Sequence, residues 1–130
     1  MFWFDQFKEI LRENNIHYND GVEFIEFYVM TQKKFPIRFF IDTDGSFFEF
    51  SAYATIGVYN KSLENFIILN KLNNTYKMFK FSFTKDGNIR IEVDIPNKFY
   101  KDIDYTFYLI NETNRIVDEI GYSFTHYNLS

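Results

Sequence analysis

The sequence contains 130 residues, which is the usual size of one domain and enough to bury a hydrophobic core. Apolar residues make up 46% of the chain and charged residues 25%, and 18 Phe and 10 Tyr offer large side chains for burial, so the composition excludes a disordered protein. The net charge of −4 argues against a nucleic-acid partner, because phosphates are bound by clustered Lys and Arg. The chain has no cysteine, which is compatible with a reducing compartment and predicts a cytoplasmic protein.

The first predicted element is an amphipathic helix from Phe4 to Asn14. Apolar residues recur there at helical spacing, with charged residues between them. Asp5 suits the positive end of the helix dipole, and Asn14 with Asn15 is an expected stop because Asn tolerates the left-handed conformation. The early charges also argue against a signal peptide. No segment approaches the roughly 20 apolar residues of a spanning helix, so no membrane partner is expected.

Three strands are predicted next, over Val22 to Met30, Ile37 to Asp42 and Phe47 to Thr55. They are rich in aromatic and β-branched residues, and apolar residues alternate with period two in the second and third. Lys33 to Pro36 is a predicted turn between the first two strands. Asp42-Thr43-Asp44-Gly45 ends the second strand, and its Asp-Gly pair is a strong hairpin signal. We therefore expect an antiparallel meander.

The next segment, from Ser62 to Tyr76, returns to helical spacing, with Ser62 as a candidate N-cap. Its apolar residues are predicted to form one broad face, and they are Leu63, Phe66, Ile67, Leu69 and Leu72. Two regular strands follow, from Phe79 to Thr84 and from Ile89 to Ile95. Lys85 to Asn88 is predicted to join them as a hairpin.

A final helix is predicted from about Asp102 to Gly121. Pro96 ends the preceding strand because it has no N–H for the ladder, and Gly121 is expected to cap the helix, with a loosely ordered tail after it. The predicted order is helix-β-β-β-helix-β-β-helix. Because the strands are joined by hairpins, this order favours a single α+β domain over residues 1–130, in which an antiparallel sheet has its helices packed mainly on one face.

The segment Asp42 to Ser46 is the strongest candidate for a metal site, because calcium loops use paired carboxylates beside glycine. An EF-hand loop needs Gly at its sixth position and Glu at its twelfth, whereas here Gly45 is fourth and Tyr53 is twelfth. A hairpin explains the segment better. The two histidines, His17 and His126, lie at opposite ends of a chain without cysteine, which argues against zinc. We expect no metal and no cofactor.

No catalytic motif stands out in the sequence. It has no Gly-x-Ser-x-Gly elbow, and its five glycines are too dispersed for a phosphate-binding loop. Carboxylate pairs such as Glu23 with Glu26, or Glu92 with Asp94, could do acid–base chemistry. However, Glu92 and Asp94 share one strand face that is expected to be solvated. The sequence therefore predicts a protein that is not an enzyme.

The aromatic excess is interpreted mainly as core, but the predicted meander carries more rings than one face can use. These rings are Phe24, Phe27, Tyr28, Phe39, Phe40, Phe47, Phe48, Phe50 and Tyr53. Because they fall on both faces, one sheet face is predicted to be a contact surface or to be covered by a partner. The candidate partner-binding residues of the meander are Phe27, Phe40, Phe48 and Tyr53.

Several short motifs in the second half of the chain carry a family resemblance. They are Leu69-Asn70-Lys71-Leu72-Asn73-Asn74, the strand Phe79 to Thr84, Asp86-Gly87-Asn88-Ile89 and Val93-Asp94-Ile95-Pro96. With the final helix, this pattern resembles the YbjN-like family, whose members resemble type III secretion chaperones in fold. The resemblance implies an α+β architecture and a cytosolic sensory-transduction regulator or chaperone-like binder, with no catalytic residues to carry over.

Asn70 and Asn73 are positions of the first motif, and two roles are open to them. Their amides could brace the junction between the second helix and the following strand, or they could be presented to a partner.

The sequence as a whole favours a non-enzymatic protein-binding or chaperone-like regulatory module, whose partner is another protein or a second copy in a homodimer. One alternative is a small-molecule sensor with an aromatic-lined pocket between sheet and helices. Another is a toxin-immunity protein or a phage-encoded inhibitor. A flat apolar patch would favour the binder, an enclosed cavity the sensor, and a cleft with shifted titrating groups an enzyme.

Overall fold

The computed structural model describes the backbone of residues 2–21, 24–42, 47–54, 63–96 and 103–129, and the side chains of residues 5–21, 24–42, 49–54, 63–93 and 103–121. The elements within these ranges are α1 (Phe2–Glu13), β1 (Tyr18–Asp20), β2 (Phe24–Met30), β3 (Pro36–Asp42), β4 (Phe47–Ala54), α2 (Leu63–Thr75), β5 (Lys80–Phe83), β6 (Ile89–Pro96) and α3 (Ile103–Leu129). The α+β class is confirmed. Strand β1 was not predicted, because three residues are too few to show alternation.

The described strands form one antiparallel sheet in the order β1-β2-β3-β4-β6-β5. The predicted meander is confirmed as β2, β3 and β4, and the predicted second hairpin as β5 and β6. Strand β6 pairs with β4, which joins the two units into one sheet. Residues 43–46, which were predicted to turn between β3 and β4, lie outside the described residues.

The alternation of each strand places one apolar set on a common face. One row across this face is Phe27, Phe39, Ala52, Ile91 and Phe81, and all five are buried. Burying a Phe or Ile side chain contributes about 1.5–3 kcal/mol relative to leaving it exposed. This face of the sheet therefore forms one side of the hydrophobic core, and we call it the core face.

The helices pack on the core face of the sheet. Phe7 of α1 packs against Phe27, with ring centroids 5.7 Å apart, and stacks on Phe107 of α3 at 5.1 Å. Helix α3 buries an apolar stripe that includes Leu109, Ile116 and Val117, and α2 buries Leu69 and Leu72. The prediction that helices pack mainly on one face of the sheet is confirmed.

The ends of the elements follow the expected backbone chemistry with one exception. Asn15 adopts φ 58° directly after α1, as a helix stop does, and Gly87 adopts φ 82° in the β5–β6 turn. Gly121, by contrast, does not end α3, which continues to Leu129. A glycine inside a helix costs only about 1 kcal/mol, and no proline follows it to stop the helix. The predicted C-terminal cap was therefore wrong.

Candidate functional site

The face of the sheet opposite the helices is called here the outer sheet face. One of its cross-strand rows is Tyr28, Arg38, Tyr53, Arg90 and Ser82. The next row is Glu26, Phe40, Ser51, Glu92 and Lys80. The face therefore mixes aromatic and charged side chains, whereas the core face is apolar.

Tyr53 lies between two arginines on the outer sheet face. The guanidinium carbons of Arg38 and Arg90 are 4.2 Å and 5.7 Å from its ring centroid, which is within cation–π distance. Arg38 also pairs with Glu26 at 3.0 Å, and Arg90 with Glu92 at 3.1 Å. Each of the two arginines thus has an acidic partner within the same face, and Glu92 is held in an ion pair.

The four candidate residues of the meander do not share one face. Phe40 and Tyr53 belong to the outer sheet face and are half-buried, and Phe40 stacks on Phe24 with centroids 5.4 Å apart. Phe27 lies on the core face and is 1% exposed, so it is not available to a partner in the folded chain. Its expected place at a contact surface is corrected. Phe48 lies in β4 opposite Ile95, and its side chain is outside the described ones.

Helix α2 carries an exposed apolar surface, called here the α2 patch, formed by Leu63, Phe66 and Ile67. These side chains are 73%, 47% and 48% exposed. At about 100° per residue, Leu63 and Ile67 lie on the side of α2 away from the buried Leu69 and Leu72, and Phe66 lies at the edge next to Leu69. Of the five apolar residues predicted to share one broad face, only Leu69 and Leu72 are buried, and the other three are exposed. The signal that could have revealed the patch is the width of the apolar arc, which covers more than half of the helix surface.

The side chain of Asn73 is fully used by strand β5. Its Oδ1 accepts from the Phe81 backbone N–H at 2.8 Å, and its Nδ2 donates to the Phe81 carbonyl at 3.0 Å. Nδ2 also lies 3.3 Å from the Leu69 carbonyl. These contacts are those of the bracing role and leave the amide little capacity for a partner. Asn70, three residues earlier, is exposed.

A cleft of about 340 Å³ opens between α1, β2 and α3, and is called here the α1–α3 cleft. Its apolar wall comes from Ile10, Leu11, Ile16, Phe27, Val29, Ile103, Phe107 and Ile110. Its polar groups are Asn14, Asp104, Asn111 and Asn114. The predicted pocket between sheet and helices has a counterpart here, although Phe27 and Phe107 are its only aromatic walls among the lining residues.

The titrating groups with clearly shifted pKa values lie in surface contacts. The Tyr76 hydroxyl donates to Glu119 at 2.8 Å, and this bond, with the charge of Arg115, lowers the pKa of Glu119. Partial burial and the same bond raise the pKa of Tyr76. The hydrogen bond to Asp20 raises the pKa of Lys8. None of these residues lines the α1–α3 cleft.

Most of the candidate metal ligands of the sequence lie outside the described side chains. His17 is exposed after α1, and the side chain of His126 is outside the described ones, as are residues 43–46. The described part of the chain contains no group of three or more His, Cys, Asp or Glu that could hold a metal ion.

No protein-family model, curated protein or solved structure matches this chain. The resemblance to the YbjN-like family therefore stays a prediction. Of the helices that the structure describes, none combines the length and apolar character that crossing a membrane requires.

Proposed function

We propose that this chain is a non-enzymatic protein-binding module of chaperone-like or regulatory type, and that the α2 patch binds a second copy of the chain. The observation that carries the proposal is the exposure of Leu63, Phe66 and Ile67 side by side on one helix. Single exposed apolar residues are ordinary, whereas a contiguous group of large ones is typical of interaction surfaces.

The α2 patch is presented on a supported helix. Leu69 and Leu72 anchor α2 in the core, and the ring of Phe66 packs edge-on against Phe83 of β5, with centroids 5.3 Å apart. A patch held in this way loses little side-chain freedom when it binds, which favours association.

The charged residues of α2 favour a second copy of the chain as the partner that binds the α2 patch. Glu64 and Lys71 are the only charged residues of the helix, and they lie two turns apart on either side of Ile67. If two α2 helices pack antiparallel around a twofold axis near Ile67, Glu64 of each copy approaches Lys71 of the other. The same contact is then made twice, as an isologous interface requires.

The contact is expected through helices rather than by adding a strand. Strand β5 is at the edge of the described sheet, but the Asn73 side chain occupies the N–H and carbonyl of Phe81. An edge covered in this way resists pairing with another strand. The family resemblance supports the chaperone-like character, and the absence of cysteine supports a cytoplasmic location.

Size-exclusion chromatography with light scattering over a wide range of protein concentrations tests the proposal. The unmodified chain should form a dimer, and Ile67→Glu should shift it to monomer because a charge enters the apolar contact. Gln6→Glu is the matched control, since it adds the same charge at an exposed position of α1, away from the α2 patch, and should leave the dimer intact. A chain that is monomeric throughout would refute the dimer.

A charge exchange tests the antiparallel arrangement itself. Glu64→Lys should weaken the dimer by placing two lysines together, and adding Lys71→Glu should restore it. A double variant as weak as the single one would contradict the pairing of these residues. A pull-down that captures another protein only when the α2 patch is intact would favour a different partner, including the target of an immunity protein or a phage-encoded inhibitor.

A small-molecule sensor is the second candidate function. The α1–α3 cleft is the observation that favours it, because it has a lining of apolar side chains with a few polar groups, as ligand sites do.

A further inference from the structure

We propose that the α1–α3 cleft binds a small uncharged or cationic molecule that joins an apolar body to an amide-like hydrogen-bonding group. This proposal does not depend on the α2 patch, which is formed by residues of a different helix. It rests on the size of the cleft, on the composition of its wall and on the side chain of Asn114.

The size and walls of the cleft set the apolar part of the ligand. A volume of about 340 Å³ is at the lower end of the range for small-molecule sites. Eight of its twelve lining residues are apolar; seven of these come from α1, β2 and α3, and Ile16 comes from the connection after α1. The rings of Phe7, Phe27 and Phe107 hold these elements together, with centroid distances of 5.7 Å and 5.1 Å. The cleft is thus built on a rigid part of the core.

The side chain of Asn114 indicates which polar group the ligand carries. Its side chain lines the cleft, and its Oδ1 is buried without a hydrogen-bond partner among the described residues. Natural proteins seldom leave a buried polar atom unpaired, and such an atom calls for an explanation. Leucine would fit the same helical position without this cost. In the proposed complex, the amide of the ligand donates to Oδ1 of Asn114 and accepts from its Nδ2.

The charge of the lining sets the sign of the ligand. Asp104 is the only ionisable residue among those that line the cleft, and Asn14 and Asn111 complete its polar groups with neutral amides. No lysine or arginine is in the lining, so a carboxylate ligand would meet a like charge without a compensating cation. Neutral amides and amines are favoured over acids of the same shape.

Three matched probes test the proposal: phenylacetamide, phenethylamine and phenylacetate share one ring and differ in the polar group. Binding is followed by two-dimensional NMR of the ¹⁵N-labelled full chain, with the side-chain amides of Asn111 and Asn114 as local reporters. The amide and the amine should shift these signals, and the acid should not. Absence of binding by all three, or equal binding by all three, would overturn the proposal.

Two variants separate the cleft from a nonspecific apolar surface. Asn114→Leu should weaken phenylacetamide about tenfold, the effect of losing a net hydrogen bond, while the thermal unfolding curve shows that the fold is kept. Val29→Phe should block all binding by filling the cleft. Unchanged affinity in both variants would overturn the proposal. Ile67→Glu should not alter probe binding, so failure of the dimer and failure of this site are distinguishable.

Discussion

Asn73 shows how one side chain can satisfy the backbone hydrogen bonds of an edge strand that has no neighbouring strand on one side. Its carboxamide offers one acceptor and one donor to the N–H and carbonyl of Phe81, as the backbone of an adjacent strand would. It therefore ties α2 to β5 and covers the middle of an edge strand at the same time. Asn73 belongs to the sequence motif from Leu69 to Asn74, and its contacts give this position a structural role.

We expect Asn73→Ala to lower the free energy of unfolding by about 1–3 kcal/mol, because the backbone groups of Phe81 lose their partner. Urea denaturation measures the change. Asn70→Ala is the control on the same helix, and it should change stability by less than about 0.5 kcal/mol because Asn70 is exposed. Equal losses in the two variants would contradict the bracing role.

At the scale of the element, periodicity decides which side of a strand is buried. Phe81 is 4% exposed on the core face of β5 and packs near Tyr76, with ring centroids 6.0 Å apart. Lys80, one residue earlier, is exposed on the outer sheet face beside Glu92. Neighbouring residues of one strand thus differ completely in their surroundings.

We expect Phe81→Asp to destabilise the fold by about 4 kcal/mol or more, because it buries a carboxylate and leaves a cavity. Lys80→Ser should cost less than about 1 kcal/mol, as the loss of a surface charge does. Thermal or chemical unfolding of both variants provides the comparison. Similar losses would show that the two residues do not lie on opposite faces.

Helix α2 illustrates what periodicity alone leaves open. At about 100° per residue, one continuous apolar arc covers more than half of the helix surface and contains Leu63, Phe66, Ile67, Leu69 and Leu72. Leu69 and Leu72 are buried in the core and Phe66 contacts Phe83 at the edge of the sheet, so the remaining part of the arc is left at the surface as the α2 patch.

At the scale of the whole molecule, the sheet has protected central strands and two edges. Strands β2, β3, β4 and β6 each have a neighbour on both sides, whereas β1 and β5 end the described sheet. The described helices pack on the core face, and the outer sheet face carries ion pairs and the Arg38–Tyr53–Arg90 contact. Stability is therefore concentrated in the middle of the sheet.

Hydrogen exchange of the full chain should follow this order. The amides of β3, β4 and β6 should exchange slowest, because opening them requires global unfolding, and those of β1 should exchange fastest among the strands. Mass spectrometry or NMR reports these rates by segment. Faster exchange in β4 than in β1 would contradict the assigned sheet order.

The sequence by itself determined the α+β class, the second and third helix starts within a residue or two, the meander and the second hairpin, because alternation, helical spacing and turn residues are local properties. It also named Phe27, Phe40, Phe48 and Tyr53 as candidate contact residues, of which Phe40 and Tyr53 lie on the outer sheet face. Tertiary structure alone decided that β6 lies beside β4, that Phe27 faces the helices, that β1 joins the sheet and that α3 continues through Gly121. The α2 patch and the α1–α3 cleft were decided there too. Each of these depends on which segments distant in the chain meet, and local periodicity carries no information about that choice.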